Sequence, residues 1–185
     1  MLDNHELLAV QRGAVKIFEA AEVAAAYERL AECIAGRLEG TTPVVLCVMI
    51  GGLIPTAELI QRFDFPLELD YLHATRYRGE TAGGDLVWKV SPSTDLADRT
   101  VLVVDDILDE GHTLAAILQA LRAQQPRGLL TAALLEKRHE RRVPGLKADF
   151  VGLEVPDRYV FGCGMDYKGY WRQLDGIYAL GEQTP

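Results

Sequence analysis

Helical periodicities and short apolar runs alternate along this chain. Residues 18–40 repeat apolar positions at helical spacing, at Val23, Tyr27, Leu30, Ile34 and Leu38. Residues 53–63 and 113–124 show the same period, so three helices are predicted. The continuous apolar runs typical of strands buried on both faces lie at 42–52, 100–105 and 129–138. This alternation predicts a largely parallel sheet with helices on both sides.

The region between the first two buried strands follows a different pattern. Residues 67–73 alternate as a strand, and residues 86–90 are predicted to form its return strand. The polar, glycine-rich stretch between them, residues 75–85, predicts a mobile loop. Periodicity assigns no elements to the aromatic, glycine-rich residues 148–171.

Three of the predicted strands end in residues suited to binding a ligand. Ligands of open parallel sheets bind beyond the carboxyl ends of the strands. We therefore expect Ile50–Gly52, Asp105–Thr113 and Lys137–Arg138 to share one rim of the sheet.

The run VLVVDDILDEGHT, residues 101–113, is the most informative stretch of the chain. Gly111 allows a tight turn, and backbone N–H groups up to Thr113, with the positive end of the following helix, suit a phosphate monoester. Asp105 and Asp106 are acceptors for the hydroxyl groups of an attached sugar. The simpler interpretation is a capped helix after a solvated turn, but one capping residue suffices and this run holds four acids.

Composition narrows the class of protein. The chain has 185 residues, of which 49% are hydrophobic and 25% charged, which indicates one soluble globular domain. A net charge of −8 argues against a general nucleic-acid binder.

No apolar run approaches the ~20 residues of a membrane span, and the N-terminus does not resemble a signal peptide. Three widely separated cysteines predict neither a disulfide framework nor a zinc site, so a reducing cytoplasm is expected. Neither a P-loop nor a dinucleotide motif is present.

Four motifs carry a resemblance to a known family. VLVVDDILDEGHT resembles the 5-phosphoribosyl diphosphate (PRPP) signature of type I phosphoribosyltransferases. VVLCVMIGG, LLEKR and PDRYVFGCGMDYKGYWRQL, in consistent order over residues 40–180, resemble the pyrophosphate loop, purine-recognising strand end and hood of the hypoxanthine-guanine phosphoribosyltransferases. The resemblance implies an α/β fold, a mostly parallel twisted sheet flanked by helices with a small hood built from the chain ends. Residues 1–185 would form a single domain, with a core at about 41–148 and a hood from about 1–20 and 149–185.

The resemblance also implies roles for individual residues. The PRPP ribose and 5′-phosphate would be bound by Asp105, Asp106, Asp109, Glu110, Gly111, His112 and Thr113. Glu110 is expected to contribute only its backbone, with its side chain turned to solvent. Pyrophosphate would be bound by Gly51, Gly52, Arg76, Tyr77 and Arg172, and the purine by Lys137, Tyr159, Val160 and Arg158. Asp166 would hold Mg²⁺. Asp109 would also be the catalytic acid/base for the purine.

Lys137 bears on the choice of base, and Ile50 is a departure from the family pattern. Lys137 would donate to the 6-oxo group of the base, whereas adenine presents a donor there and would leave the ammonium unpaired. Ile50 departs from the family, many members of which carry lysine before the two glycines.

Residues 71–84 correspond to the loop that closes over the family's active site, and the alternative is a plain polar hairpin.

The expected activity is purine salvage, the transfer of 5-phosphoribosyl from PRPP to N9 of hypoxanthine or guanine, giving IMP or GMP and pyrophosphate. The expected partners are PRPP and 6-oxopurine bases, without nucleic acid or membrane, in a homodimer or homotetramer. A nucleotide-sensing regulatory protein that binds RNA is an alternative, although a pI of about 5.0 argues against it. The other alternative is a phosphoribosyltransferase for another base, such as xanthine.

Overall fold

A computed structural model describes residues 3–76 and 86–181. Its helices are α1 Asn4–Gly13, α2 Ala20–Leu38, α3 Leu53–Ile60 and α4 His112–Arg122. Its strands are β1 Val15–Phe18, β2 Val44–Val48, β3 Glu68–Arg76, β4 Leu86–Val90, β5 Thr100–Leu108, β6 Gly128–Arg138, β7 Phe150–Pro156, β8 Val160–Phe161 and β9 Ile177–Ala179.

A six-stranded sheet in the order β4-β3-β2-β5-β6-β7 forms the centre of the molecule. All its neighbouring strands are parallel except β3 and β4, which pair antiparallel. Because β2, β5 and β6 are adjacent and parallel, their carboxyl ends meet at one rim. The predicted α/β fold with a mostly parallel sheet flanked by helices is confirmed.

Strands β2 and β5 send alternate side chains to two separate apolar layers. Val45 of β2 and Leu102 of β5 pack with α2 and α3, while Val44 and Val103 pack with α4 on the other face. All five residues of β2 are buried. This two-sided burial explains why the strand is a continuous apolar run and not an alternating one.

A second, three-stranded antiparallel sheet in the order β1-β9-β8 brings the two ends of the described chain together. Phe161 of β8 is fully buried beside Leu7 of α1 and Tyr167. The division into a core at 41–148 and a hood at 1–20 and 149–185 stays a prediction about domains. Strand β7, at Phe150–Pro156, pairs with the large sheet and not with the small one.

The predicted helices and the return strand β4 are present, with two differences from expectation. Helix α1 was missed, although Asp3 and Glu6 form a capping box at its start. Strand β5 does not end at Asp105, because its backbone stays paired with β6 as far as Leu108. Most of the predicted mobile loop lies outside the described residues. Within those residues, no helix combines the length and apolar character needed to cross a membrane.

Asp70 on β3 is a buried carboxylate that ties the β3 edge to the segment before β5. Oδ2 accepts hydrogen bonds from the backbone N–H groups of Ser93 at 2.7 Å and Thr94 at 2.9 Å. Oδ1 accepts one from the backbone N–H of Tyr71 at 2.7 Å. Burial alone would raise the pKa of Asp70, but these backbone bonds outweigh it and lower the pKa below its ordinary value.

We expect Asp70→Asn to lower the free energy of unfolding by about 2 kcal/mol at pH 7, because an amide nitrogen would face backbone donors. Urea denaturation measures this loss, with Asp64→Asn on the surface as a control that changes little. A carboxyl group with a lowered pKa stabilises the fold above its unfolded pKa and loses that effect as the pH falls through its folded pKa. The difference between Asp70→Asn and the wild type should therefore shrink in acid. A constant difference would contradict this role.

Candidate functional site

A cavity of about 570 Å³ opens at the rim where β2, β5 and β6 end. Such a volume is typical of a small-molecule site. Its lining combines residues from these strand ends with residues that follow β7: Gly51, Asp106, Ile107, Asp109, Thr113, Lys137, Tyr159, Val160, Met165, Asp166 and Arg172. Nine of these eleven residues belong to the set predicted from the sequence.

The predicted phosphate loop connects β5 to α4. Gly111 has a φ of 80°, in the left-handed region that favours glycine, and it is the residue that precedes the first turn of α4. No side chain caps this helix. The capping interpretation of the acidic run is therefore wrong, and the backbone N–H groups of the first turn stay available to an anion. Thr113 lines the cavity.

The Glu110 side chain contacts a neighbouring loop and not the cavity. Its Oε1 accepts from Nε of Arg141 at 3.3 Å, and its backbone carbonyl accepts from the N–H of Val143 at 2.9 Å. The side chain is about half exposed, at 47%. An ion pair with Arg141 explains how an acid is tolerated in a loop predicted to bind phosphate.

Asp105 and Asp106 are consecutive members of β5 with partly buried side chains. Each carboxylate accepts the backbone N–H of the next residue, at 2.9 Å for Asp105 and 2.8 Å for Asp106. Burial raises the pKa of both groups, and the charge of Asp106 raises that of Asp105 further. Arg172 approaches Asp106 at 3.9 Å and partly offsets the burial.

Gly51, in the loop after β2, backs directly onto Asp106. A Cβ atom at Gly51 would lie 2.0 Å from Oδ2 of Asp106, closer than any side chain can approach. A side chain at Gly51 would therefore displace the carboxylate of Asp106. The neighbouring Ile50 side chain is about half exposed, at 49%, and does not line the cavity.

Asp109 lies between two nitrogen donors from the end of β6. Lys137 Nζ is 2.5 Å from Oδ2, and His139 Nε2 is 2.6 Å from Oδ1. Burial alone would raise the pKa of Asp109, but the hydrogen bonds from Lys137 and His139 outweigh it and lower the pKa below its ordinary value. Asp109 is therefore ionised at neutral pH, as a proton acceptor must be.

The exposed aromatic ring of Tyr159 forms part of the cavity wall. Tyr159 is 49% exposed, and its hydroxyl donates to the backbone carbonyl of Asp166 at 3.0 Å. Tyr167 packs edge-on against it with ring centroids 5.9 Å apart, which helps to fix the ring. Val160 lines the cavity next to it. A planar base can stack on such a surface.

Asp166 and Arg172 form a charged pair at the cavity. Arg172 Nη2 is 2.6 Å from Oδ1 of Asp166, and the backbone N–H of Gly169 donates to Oδ2 at 2.6 Å. Among the described residues no group of three or more His, Cys, Asp or Glu side chains could hold a metal ion. A single carboxylate still suits Mg²⁺, which is usually bound through one or two carboxylates, substrate phosphates and water.

Other predicted residues lie around the cavity without lining it. They are Gly52, Asp105, Glu110, Gly111, His112 and Arg158. Arg158 donates to the backbone carbonyl of Leu180, which follows β9, so its side chain is engaged there. Tyr77 is outside the described residues, and Arg76 is described only as the last residue of β3.

Three residues at or beside the site were not predicted from the sequence. Ile107 and Met165 line the cavity, and His139 contacts Asp109 from outside it. Apolar lining residues give no sequence signal that separates them from core residues. His139 did have a signal, since it follows Lys137 by two residues and alternate residues of extended backbone point to the same side.

Comparisons with known proteins agree with this geometry. A family model described as a phosphoribosyl transferase domain matches residues 14–168. Human hypoxanthine-guanine phosphoribosyltransferase is 35% identical to this chain, over 84% of the chain and 75% of the human protein. The bovine protein of the same name is 34% identical over the same shares.

Solved structures give the same result at the level of the fold. A hypoxanthine phosphoribosyltransferase from Staphylococcus aureus superposes with a TM-score of 0.87 and 25% identity, covering 93% of this chain and 94% of that one. A hypoxanthine-guanine-xanthine phosphoribosyltransferase superposes with a TM-score of 0.83 and 27% identity, covering 91% and 97%.

Proposed function

Because the chain belongs to the hypoxanthine-guanine phosphoribosyltransferase family, we propose that it is a purine salvage enzyme acting at the cavity described above. It transfers the 5-phosphoribosyl group of PRPP to N9 of a 6-oxopurine, with release of pyrophosphate. One observation supports this assignment most strongly. The acidic end of β5, a helix start suited to phosphate, and the side chains of Lys137 and Tyr159 all meet at one cavity.

The β5–α4 loop is the proposed site of the sugar phosphate. The 5′-phosphate would accept hydrogen bonds from backbone N–H groups at the start of α4 and from the Thr113 hydroxyl. Asp105 and Asp106 would accept the two ribose hydroxyl groups. The pKa values of both groups are raised because the carboxylates are buried and no cation among the described residues lies at hydrogen-bonding distance. Hydrogen bonds from the ribose hydroxyl groups would replace the hydration that the carboxylates lose on burial.

The base would bind between Tyr159 and the end of β6. Stacking on Tyr159 contributes about 1–3 kcal/mol where such contacts have been measured. Lys137 would leave Asp109 to donate to the 6-oxo group, and Val160 would contact the base edge through its main chain. Only 11% of the Lys137 side chain is exposed, so an unpaired ammonium there is costly, and this selects against adenine.

The reaction is a displacement at the anomeric carbon of the ribose. The N9–C1′ bond forms as the bond from C1′ to the diphosphate oxygen breaks, and the electron pair of that bond leaves with the diphosphate. The sugar passes through an oxocarbenium-like state, as in glycoside chemistry. Asp109 takes the purine ring proton, for which its ionised carboxylate is suited.

The leaving diphosphate is the proposed partner of the loop after β2 and of Arg172. Gly51 would offer its backbone N–H, and Arg172 would offer a fork that matches phosphate oxygens. The N–H of Gly52 already donates to the backbone carbonyl of Val48 at 2.8 Å, so the predicted donor role of Gly52 is not supported. Asp166 would hold Mg²⁺, which would supply positive charge to offset the charge on the leaving diphosphate. Arg76 and Tyr77 stay predictions, as does the contribution of Ile50 in place of the lysine of many relatives.

Nucleotide formation from PRPP with Mg²⁺, measured across hypoxanthine, guanine, xanthine, adenine and orotate, tests this function. We expect IMP and GMP as products and no AMP. Formation of XMP at a comparable rate would favour the wider specificity named in the hypoxanthine-guanine-xanthine relative. Activity on adenine or orotate alone would refute the assigned base class.

The location and assembly of the enzyme belong to the same proposal. We propose a cytoplasmic homodimer or homotetramer, which gel filtration coupled to light scattering would measure. The RNA-binding regulatory alternative predicts retarded RNA in a gel shift, and the net charge of −8 disfavours it.

A further inference from the structure

The loop after β6 brings a buried histidine against Asp109. His139 follows the last residue of β6, and only 4% of its side chain is exposed. It lies outside the cavity lining, so it would not touch a bound purine. Its Nε2 nevertheless lies 2.6 Å from Oδ1 of the proposed proton acceptor.

The second ring nitrogen fixes the tautomer of His139. Nδ1 accepts a hydrogen bond from the backbone N–H of Arg141 at 3.1 Å. A backbone N–H can only donate, so Nδ1 carries a lone pair and no proton. The ring is then neutral, with its proton on Nε2, the nitrogen that faces Asp109. His139 is therefore a neutral donor to the Asp109 carboxylate.

Arg142 holds the histidine loop against the phosphate loop. Its Nη1 is 2.5 Å from Glu136, and its Nη2 donates to the backbone carbonyl of Lys137 at 2.7 Å. Its Nε donates to the backbone carbonyl of Asp109 at 3.4 Å. These contacts fix the main chain on both sides of the hydrogen bond between His139 and Asp109.

The two donors to Asp109 would behave differently when the base binds. Lys137 contacts Oδ2 and would move to the 6-oxo group of the base, whereas His139 contacts Oδ1 and has no other ligand to bind. We propose that His139 is a positioning residue, which holds Oδ1 of Asp109 so that Oδ2 faces the purine once Lys137 has turned to it. This inference rests on the proposed phosphoribosyl transfer.

A donor to the charged form of a carboxyl group also lowers its pKa. Burial alone would raise the pKa of Asp109, and the bonds from Lys137 and then His139 lower it. The other charged groups that face this pair from the packed segments are Glu110, Arg141, Arg142 and Asp157. Loss of the His139 donor alone should therefore raise the pKa of Asp109.

The test compares two replacements of similar size. His139→Met removes the donor, whereas His139→Gln keeps an N–H near the Nε2 position. We expect His139→Met to lower kcat roughly tenfold, without a change in the KM for PRPP, and to move the acid limb of the kcat profile to higher pH. His139→Gln should restore most of kcat and of the wild-type pH profile. Glu140→Gln, at the exposed residue that follows His139, is the matched control and should behave as the wild type.

Two kinetic outcomes would overturn the proposal. One is a folded His139→Met variant with wild-type kcat and acid limb. The other is an equal loss in His139→Met and His139→Gln, because that would indicate packing and not the donor.

Nuclear magnetic resonance of the ligand-free protein separates this inference from the proposed function. We expect a protonated Nε2 on His139 and, in His139→Met, an Asp109 carboxyl that titrates at higher pH. An unchanged Asp109 titration would overturn the inference even in an active enzyme. A wild type that forms no nucleotide from any base, yet shows the expected titrations, would refute the proposed function alone.

Discussion

Asp109→Asn is expected to lower kcat by about 10²- to 10⁴-fold while the KM for PRPP changes little. The carboxylate is kept ionised by Lys137 and His139 and is the proposed acceptor of the purine proton. An amide has nearly the same shape but cannot take that proton, so the loss falls on turnover. Steady-state kinetics with hypoxanthine and PRPP would measure it.

The interpretation of Asp109→Asn requires a folded variant and a matched control. An amide nitrogen would face one of the two donors that now contact the carboxylate, so thermal unfolding should be recorded beside the kinetics. Asp64→Asn, at an exposed acid in the segment after α3, should leave kcat unchanged. A loss of the same size in kcat and in PRPP affinity would contradict proton transfer by Asp109 and indicate a binding role.

Lys137→Met is expected to raise the KM for hypoxanthine and guanine by about 10- to 100-fold, with little change for PRPP. The Lys137 side chain is almost buried, at 11% exposure, and its ammonium group is the charged donor proposed for the 6-oxo group. Methionine keeps the apolar part of the side chain as far as Cε and removes the charged donor. Discrimination against adenine should weaken at the same time, because the unpaired ammonium that penalises adenine is gone.

Lys147→Met provides the control for Lys137→Met, since Lys147 is an exposed lysine in the loop between β6 and β7. Its KM values should match those of the wild type. An unchanged purine KM in Lys137→Met would show that the base is read by other groups. A rise in the KM for PRPP alone would place the lysine at the diphosphate.

The sequence predicted the elements whose residues are regularly spaced. Helix α2 and strand β2 follow from periodicity, because each buries a definite set of side chains against the sheet or within it. The end of β5 was misjudged because Asp105 and Asp106 are charged. A strand can continue through charged residues when its backbone stays paired, as it does here with β6.

The candidate site was predictable to the extent that it is built from strand ends. Gly51, Asp106 and Lys137 converge because β2, β5 and β6 are parallel neighbours, a consequence of fold class. The contact between His139 and Asp109 joins residues 30 positions apart and depends on the path of the loop after β6. Nothing in local propensity determines that path, so His139 was missed.

A crystal structure with GMP bound tests the central claim most directly. We predict that the 5′-phosphate lies at the start of α4, within hydrogen-bonding distance of the backbone N–H groups up to Thr113. The ribose hydroxyl groups should contact the Asp105–Asp106 pair, and the purine should lie between Tyr159 and Lys137. GMP bound elsewhere, with the β5–α4 loop free of the phosphate, would contradict the account.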